Sequence, residues 1–265
     1  NVYMNEWSRT RKRIILGIIL FVLIVVIGIP LFFLFYNKPS CFDKKLNGDE
    51  TGVDCGGSCQ LLCSAESLPI VAKGDPRVLK IASSTYEVVA LFENPNPTAE
   101  IRLAHYTLKI FDKDNSIPIR TIDGNTYIPK SATFAVFEGP FTVETGVEPV
   151  RAILEWAKGS LVWQKNTAKL PEIIVKDKVL SKESSSPRLE AIVENASLED
   201  LENLDIVVLI SDEDGNIFAA SKTFVNFLPS AAETPIIFSW PRPFAKKAAQ
   251  IDVIVRILPD KSFIK

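Results

Sequence analysis

The stretch VVALFEN, Val88 to Asn94, returns as LEAIVEN at Leu189 to Asn195. Four more blocks recur in the same order. LKIFDKDN (Leu108 to Asn115) returns as VLISDEDG (Val208 to Gly215), and Ile128-Pro129 as Leu228-Pro229. AVFEGP (Ala135 to Pro140) returns as IIFSWP (Ile236 to Pro241), and AILEW (Ala152 to Trp156) as VIVRI (Val253 to Ile257). Every offset is 100 or 101 residues. A period that long matches a whole domain rather than a solenoid unit, so two copies of one domain are expected.

The blocks read as strands. Tyr106, Leu108 and Ile110 alternate with Thr107 and Lys109; Ile251, Val253, Val255 and Ile257 alternate with Asp252, Ile254 and Arg256. Period-two patterning rich in branched residues marks half-buried strands. Turn signals separate them: Asn94-Pro95-Asn96-Pro97, Asp112 to Ser116, Asp123-Gly124-Asn125, Lys158-Gly159 and Asp212 to Asn216. Short strands at this density predict an antiparallel β-sandwich of immunoglobulin-like type in each copy, residues 66–170 and 171–265. Neither copy contains cysteine, so no inter-sheet disulfide is expected. Trp156 and Trp163 are expected to flank a hairpin at Lys158-Gly159 and to pack in the core or across strands. Leu198 to Leu204 has the spacing of one helical turn. Lys169 to Glu172 reads as a short linker that limits relative motion, and Glu183 to Pro187 as a loop inside the second copy.

Ahead of the copies, Ile14 to Tyr36 reads IILGIILFVLIVVIGIPLFFLFY, an uncharged run of 23 residues. At ~1.5 Å per residue a helix of that length crosses a ~30 Å hydrocarbon core with some tilt. Pro30 can kink it, and Trp7 and Tyr36 are candidate interfacial anchors. Arg9, Arg11, Lys12 and Arg13 precede the run against Glu6, whereas only Lys38, Lys44 and Lys45 follow closely. The denser basic cluster places residues 1–13 in the cytoplasm and residues 37–265 outside. The run is longer than a signal-peptide core, and no small-x-small site follows it, so a retained signal-anchor is expected over residues 14–36.

Charge narrows the function. Residues 1–13 carry +3 of a chain total of −2, which leaves −5 for the rest. An acidic outer region argues against nucleic acid as a partner; the lipid bilayer, through residues 14–36, and other envelope proteins are the expected partners. Oligomeric state is left open.

All four cysteines, Cys41, Cys55, Cys59 and Cys63, lie in residues 37–65. Outside the cytoplasm an even number in a short glycine-rich segment reads as a disulfide framework, with three connectivities open. The few apolar residues, such as Phe42, Leu46 and Val53, cannot build a core, so covalent closure is needed. A four-cysteine zinc site is disfavoured by the long first gap, and a redox pair by the absence of C-x-x-C. Asp43, Asn47, Asp49, Glu50 and Asp54 form a candidate calcium loop, against the simpler reading of a solvated acidic turn.

Three resemblances follow from these residues. Cys41, Asp43, Asn47-Gly48, Glu50-Thr51, Val53 to Gly57, Cys59 and Cys63 resemble a module of bacterial secreted and surface proteins, C-x-D-x3-N-G-x-E-T-x-V-D-C-G-G-x-C-x3-C. It implies an extracellular disulfide-bonded spacer and no activity. The first copy resembles the water-stress (WHy) domains of late-embryogenesis-abundant proteins, through Phe92 to Asn96, Tyr106-Thr107-Leu108, Asp112 and Ile128-Pro129. The second is similar to the FxLYD-type sandwich, through Val193 to Ser197 and Asp212 to Gly215, although Ile210-Ser211-Asp212 replaces Leu-Tyr-Asp. Both imply β-sandwich binding or structural domains in the cell envelope.

No catalytic constellation is expected. The single histidine, His105, reads as a strand residue at or near the surface. No nucleophile elbow, P-loop or dinucleotide fingerprint occurs. Asp112/Asp114 and Asp212/Asp214 recur at one turn position, where aspartate caps turns. The sequence therefore predicts a mainly β, membrane-anchored structural or interaction protein without enzymatic activity or cofactor. The alternatives are an accessory subunit of a larger envelope assembly, or a metal-dependent envelope enzyme using the acidic turns.

Overall fold

The computed structural model describes residues 2–36, 38–113 and 116–260, in two compact units, Asn1–Gly57 and Ser58–Lys265. The first unit begins with helix α1 (Val2–Leu23), continues through a π-helical stretch, Ile24–Gly28, and ends in α2 (Ile29–Phe35). Pro30 lies at the start of α2. Proline has no N–H and its ring crowds the carbonyl four residues back, so the wider π stretch lets the helix pass it. Within this helix the stretch Thr10–Leu34 is long and apolar enough to cross a membrane. Its side chains from Ile14 to Leu34 are exposed, unlike those of a soluble core helix.

The second unit is mainly β. Its first half holds β1 (Val71–Ala72), β2 (Arg77–Lys80), β3 (Thr85–Asn94), β4 (Ala99–Asp112), β5 (Arg120–Ile128), β6 (Ala132–Thr142), β7 (Pro149–Trp156) and β8 (Gln164–Lys165). The other half holds β9 (Ile173–Ser181), β10 (Arg188–Asn195), β11 (Leu201–Ser211), β12 (Ile217–Leu228), β13 (Glu233–Ser239) and β14 (Gln250–Ile257). All pairings are antiparallel, and the strand order recurs. Sheet β2-β3-β6 corresponds to β9-β10-β13, and β5-β4-β7 to β12-β11-β14. Each half is a sandwich. Val88, Ala90, Phe92, Phe134 and Val136 meet Tyr106, Leu108 and Ile110 in one core. Leu189, Ala191, Val193 and Phe238 meet Ile206, Val208 and Ile210 in the other.

A third apolar cluster joins the two sandwiches. Leu79, Val89 and Ala135 pack against Val207, Leu209 and Ala220, with Leu91, Phe137 and Ile254 around them. The β2-β3-β6 sheet of the first sandwich thus lies on the β12-β11-β14 sheet of the second. Strands β3 and β11 are covered on both faces, which is why Val88-Val89-Ala90 and Ile206 to Ile210 are continuous apolar runs. Val89, Val207 and Leu209 are each at most 2% exposed. At ~1.5–3 kcal/mol per fully buried side chain, these three alone contribute on the order of 5 kcal/mol. That cluster, more than the short linker, opposes separation of the sandwiches.

The recurring blocks are linked by a buried asparagine. Asn94 Nδ2 donates to the Ala99 and Pro129 carbonyls, 2.8 Å each, while its Oδ1 accepts from the Asn96 backbone N–H at 3.0 Å. Asn195 does the same in the second copy, donating to the Glu199, Leu228 and Pro229 carbonyls and accepting from Ser197. Both are fully buried. One side chain thus pins the turn after its own strand to the turn at Ile128-Pro129 or Leu228-Pro229. Asn94→Ala leaves several buried carbonyl and N–H groups unpaired. A loss of about 2–4 kcal/mol in urea unfolding is expected, with a similar loss for Asn195→Ala.

Two expectations are corrected. No hairpin forms at Lys158-Gly159. β7 and β8 both pair with β4, at Tyr106–Asp112 and Ala99–Glu100, so residues 157–163 are an excursion from one interrupted edge strand. Trp163 is buried and Trp156 packs 5.2 Å from Phe92 and 6.1 Å from Tyr106, in keeping with the core role expected of them. Leu198 to Leu204 is not a helical turn: β11 begins at Leu201. Leu201 and Leu204 are both buried, and Asn203 between them has φ 57°, a break that puts residues three apart on one strand face. Ile101 and Ala104 in β4 do the same across a register shift. Helix-like spacing here arises from irregular strands.

Candidate functional site

The cysteines form two disulfides, Cys41–Cys59 and Cys55–Cys63, and no free cysteine remains. With every sulfur in a disulfide, the four cysteines present no thiolate ligand set of the kind a zinc site uses. Within residues 41–57 the acidic side chains are turned onto the backbone. Asp54 Oδ1 accepts from the Asp43 and Lys44 N–H groups, 3.0 Å each. Glu50 Oε2 accepts from the Asn47 and Asp54 N–H groups, 3.3 Å each. Asp43 accepts from the Lys45 N–H at 3.0 Å and from Asn47 Nδ2 at 2.8 Å. Asp49 is exposed. Gly57 is fixed by a close approach: a Cβ there would stand 1.9 Å from the Asp49 carbonyl oxygen, and its φ is +52°. The loop thus satisfies its own N–H groups through Asp43, Glu50 and Asp54. We expect chelation with EGTA to leave the thermal midpoint of the full chain unchanged; a calcium-dependent rise would establish the loop as a calcium site.

The other sequence candidates are dispersed. His105 is exposed on β4, opposite Asn125. Asp212 Oδ1 accepts from the Asp214 N–H at 3.1 Å and the Asn216 N–H at 2.8 Å, and Oδ2 pairs with Lys246. The hydrogen bond from Lys246, then that from the Asn216 backbone, lowers the Asp212 pKa. It is a turn-capping aspartate. Asp114 lies outside the described residues.

The chemistry that sequence reasoning missed lies between the sandwiches. Arg256 on β14 is 8% exposed and Asp205 on β11 is 2% exposed. Arg256 Nη2 donates to Asp205 Oδ2 at 2.6 Å, and Nη1 crosses to the first sandwich, donating to Thr126 Oγ1 at 2.9 Å and the Tyr127 carbonyl at 3.0 Å. Lys222 Nζ stands 3.4 Å from the other Asp205 oxygen. Nearby, Tyr106 donates to Glu138, and burial, reinforced by that carboxylate, raises the tyrosine pKa.

Further along the same seam a cleft of about 550 Å³ opens beside the edge of β12. At Ala220 both outward backbone groups are taken by side chains. The carbonyl accepts from Trp240 Nε1 at 2.7 Å, and the N–H interacts with the Glu87 carboxyl from the first sandwich. Phe244 stacks edge-on against Phe218 and Trp240, at 5.3 and 5.1 Å, to form the apolar wall. Glu87 is 6% exposed, and its Oε1 has no hydrogen-bond partner. Burial pushes its pKa up to about 8, against a small opposing effect from the Ala220 N–H. Glu87 could be found in the sequence only by noticing that it shares a strand face with Val89 and Leu91, and then only if that face were known to be covered.

No protein-family model matches this chain. No curated protein matches it either. Among solved structures, red sea bream transglutaminase matches over 76% of this chain and 29% of its own, with 10% identity and a TM-score of 0.26. A β-glucuronidase of glycoside hydrolase family 2 matches over 79% of this chain and 26% of its own, with 12% identity and a TM-score of 0.20. The chain thus spans under a third of the length of either. At such scores neither likeness bears on function. The fold and the cysteine segment define a class: a two-sandwich β protein with an apolar N-terminal helix and a disulfide knot.

Proposed function

We propose that this is a single-pass membrane protein that presents its two sandwiches outside the cytoplasm as a structural or interaction module, without catalysis. Residues 14–36 are its anchor, residues 1–13 its cytoplasmic end, and other envelope proteins its partners. One observation carries the reading. An exposed helix long enough to span a bilayer is followed within a few residues by a segment whose cysteines are all oxidised. Disulfides persist in oxidising compartments, on the far side of such a span from the basic cluster.

The test is labelling of intact cells with a membrane-impermeant amine reagent, read by peptide mass spectrometry. Lysines from Lys38 onward are expected to react, whereas Lys12 reacts only after lysis. The protein should also stay in the membrane pellet through an alkaline carbonate wash. Labelling of Lys12 in intact cells, or release by carbonate, would overturn the proposal.

A further inference from the structure

We propose that the cleft between the sandwiches binds an amphipathic anion, with its apolar body against Phe218, Trp240 and Phe244 and its acidic head toward Arg242 and Lys80. The proposal does not depend on membrane topology. The cleft's 550 Å³ falls within the range of small-molecule sites, and its wall is mainly aromatic and proline carbon. Lys80, Arg242 and Lys246 stand around it. Lys246 is paired with Asp212, whereas among the described residues neither Lys80 nor Arg242 forms an ion pair.

The one acid lining the cleft does not offset this charge at neutral pH. Glu87 is buried with an unpartnered oxygen, and it stays protonated until about pH 8. A protonated carboxyl can donate a hydrogen bond to an anionic head, which a carboxylate cannot. Cationic amphiphiles meet like charge at the rim, and uncharged ones leave it uncompensated. An apolar carboxylate, phosphate or sulfonate satisfies both the wall and the rim.

The test uses the full-length chain in nanodiscs of zwitterionic lipid, photolabelled with a diazirine-bearing dodecanoate and mapped by peptide mass spectrometry. Adducts are expected on the peptides holding Phe218 and Trp240 to Lys246. Dodecyl phosphate should compete for them and dodecyltrimethylammonium should not. Arg242 is exposed, so Arg242→Glu is tolerated by the fold and should lower these adducts about tenfold. Adducts on residues 14–36 should stay unchanged and serve as the internal standard. Raising the pH from 7 to 9 should weaken cleft labelling in the parent chain but not in Glu87→Gln. Adducts confined to residues 14–36, competition by the cationic amphiphile, or indifference to Arg242→Glu would each overturn the proposal.

Discussion

Asp205→Ala is expected to destabilise the full chain by about 3–5 kcal/mol, the cost of stranding a buried charge. Arg256 would keep its bonds to Thr126 and Tyr127 but lose its only carboxylate partner among the described residues, at 8% exposure. Lys222, one fifth exposed, would lose the same partner but can turn toward water. The double variant Asp205→Leu/Arg256→Met should recover part of the loss, because an apolar pair avoids desolvating both charges but gives up the bonds to Thr126 and Tyr127. Urea unfolding of the full chain in detergent, followed by tryptophan fluorescence, measures both. A single variant within 1 kcal/mol of the parent, or no recovery in the double, would show that the pair is not the seam's electrostatic anchor.

Glu87 is expected to make stability fall as pH rises. Burial lifts its folded pKa from an ordinary 4.5 to about 8, so folding takes up a proton between those values. A raised folded pKa gives a contribution that is fully present below about pH 4.5 and lost as pH climbs through 8. At ~1.4 kcal/mol per pH unit the loss is on the order of 3–5 kcal/mol. Glu87→Gln cannot titrate and keeps a neutral side chain of the same size. Its stability curve should be flatter than the parent's from pH 5 to 8.5, with the difference greatest at the alkaline end. Parallel curves would mean that Glu87 is ionised throughout.

The stacking of the sandwiches is directional, and its cause is visible in the repeated blocks. Val89 in the first copy corresponds to Glu190 in the second, and Lys109 to Leu209. Where the first copy has an apolar outer position on β3, the second has charge on β10; on β4 and β11 the pattern is reversed. Each copy therefore offers one apolar outer face, and the two faces lie on non-equivalent sheets. The remaining outer faces carry ion pairs. Lys109 bonds Glu155 at 2.7 Å, and Lys176 bonds Glu194 and Glu233, at 2.6 Å each. A heterologous contact of this kind joins non-equivalent faces, and the charged terminal sheets do not repeat the apolar pair that meets at the seam.

The membrane-length helix, the disulfide-bonded character of the cysteine segment, the strands and the two-sandwich organisation are all legible in the residues. These follow from local signals: an uncharged run, a cysteine count, a period of two and turn residues at fixed places. The block ends Asn94 and Asn195 repeat because each bridges the same pair of turns. What covers the outer faces depends on how the sandwiches pack. Alternation says which residues share a side of a strand, not what lies across from it. Ile254 and Arg256, which alternate with the core positions of β14, lie on the side that the first sandwich covers, and Leu201 and Leu204 have the spacing of a helical turn because Asn203 breaks the strand. The cysteine pairing and the cleft were equally out of reach. The cleft joins segments distant along the chain, Leu79 to Glu87 with Phe218 to Lys246, whereas the four cysteines lie so close in sequence that spacing permits all three pairings.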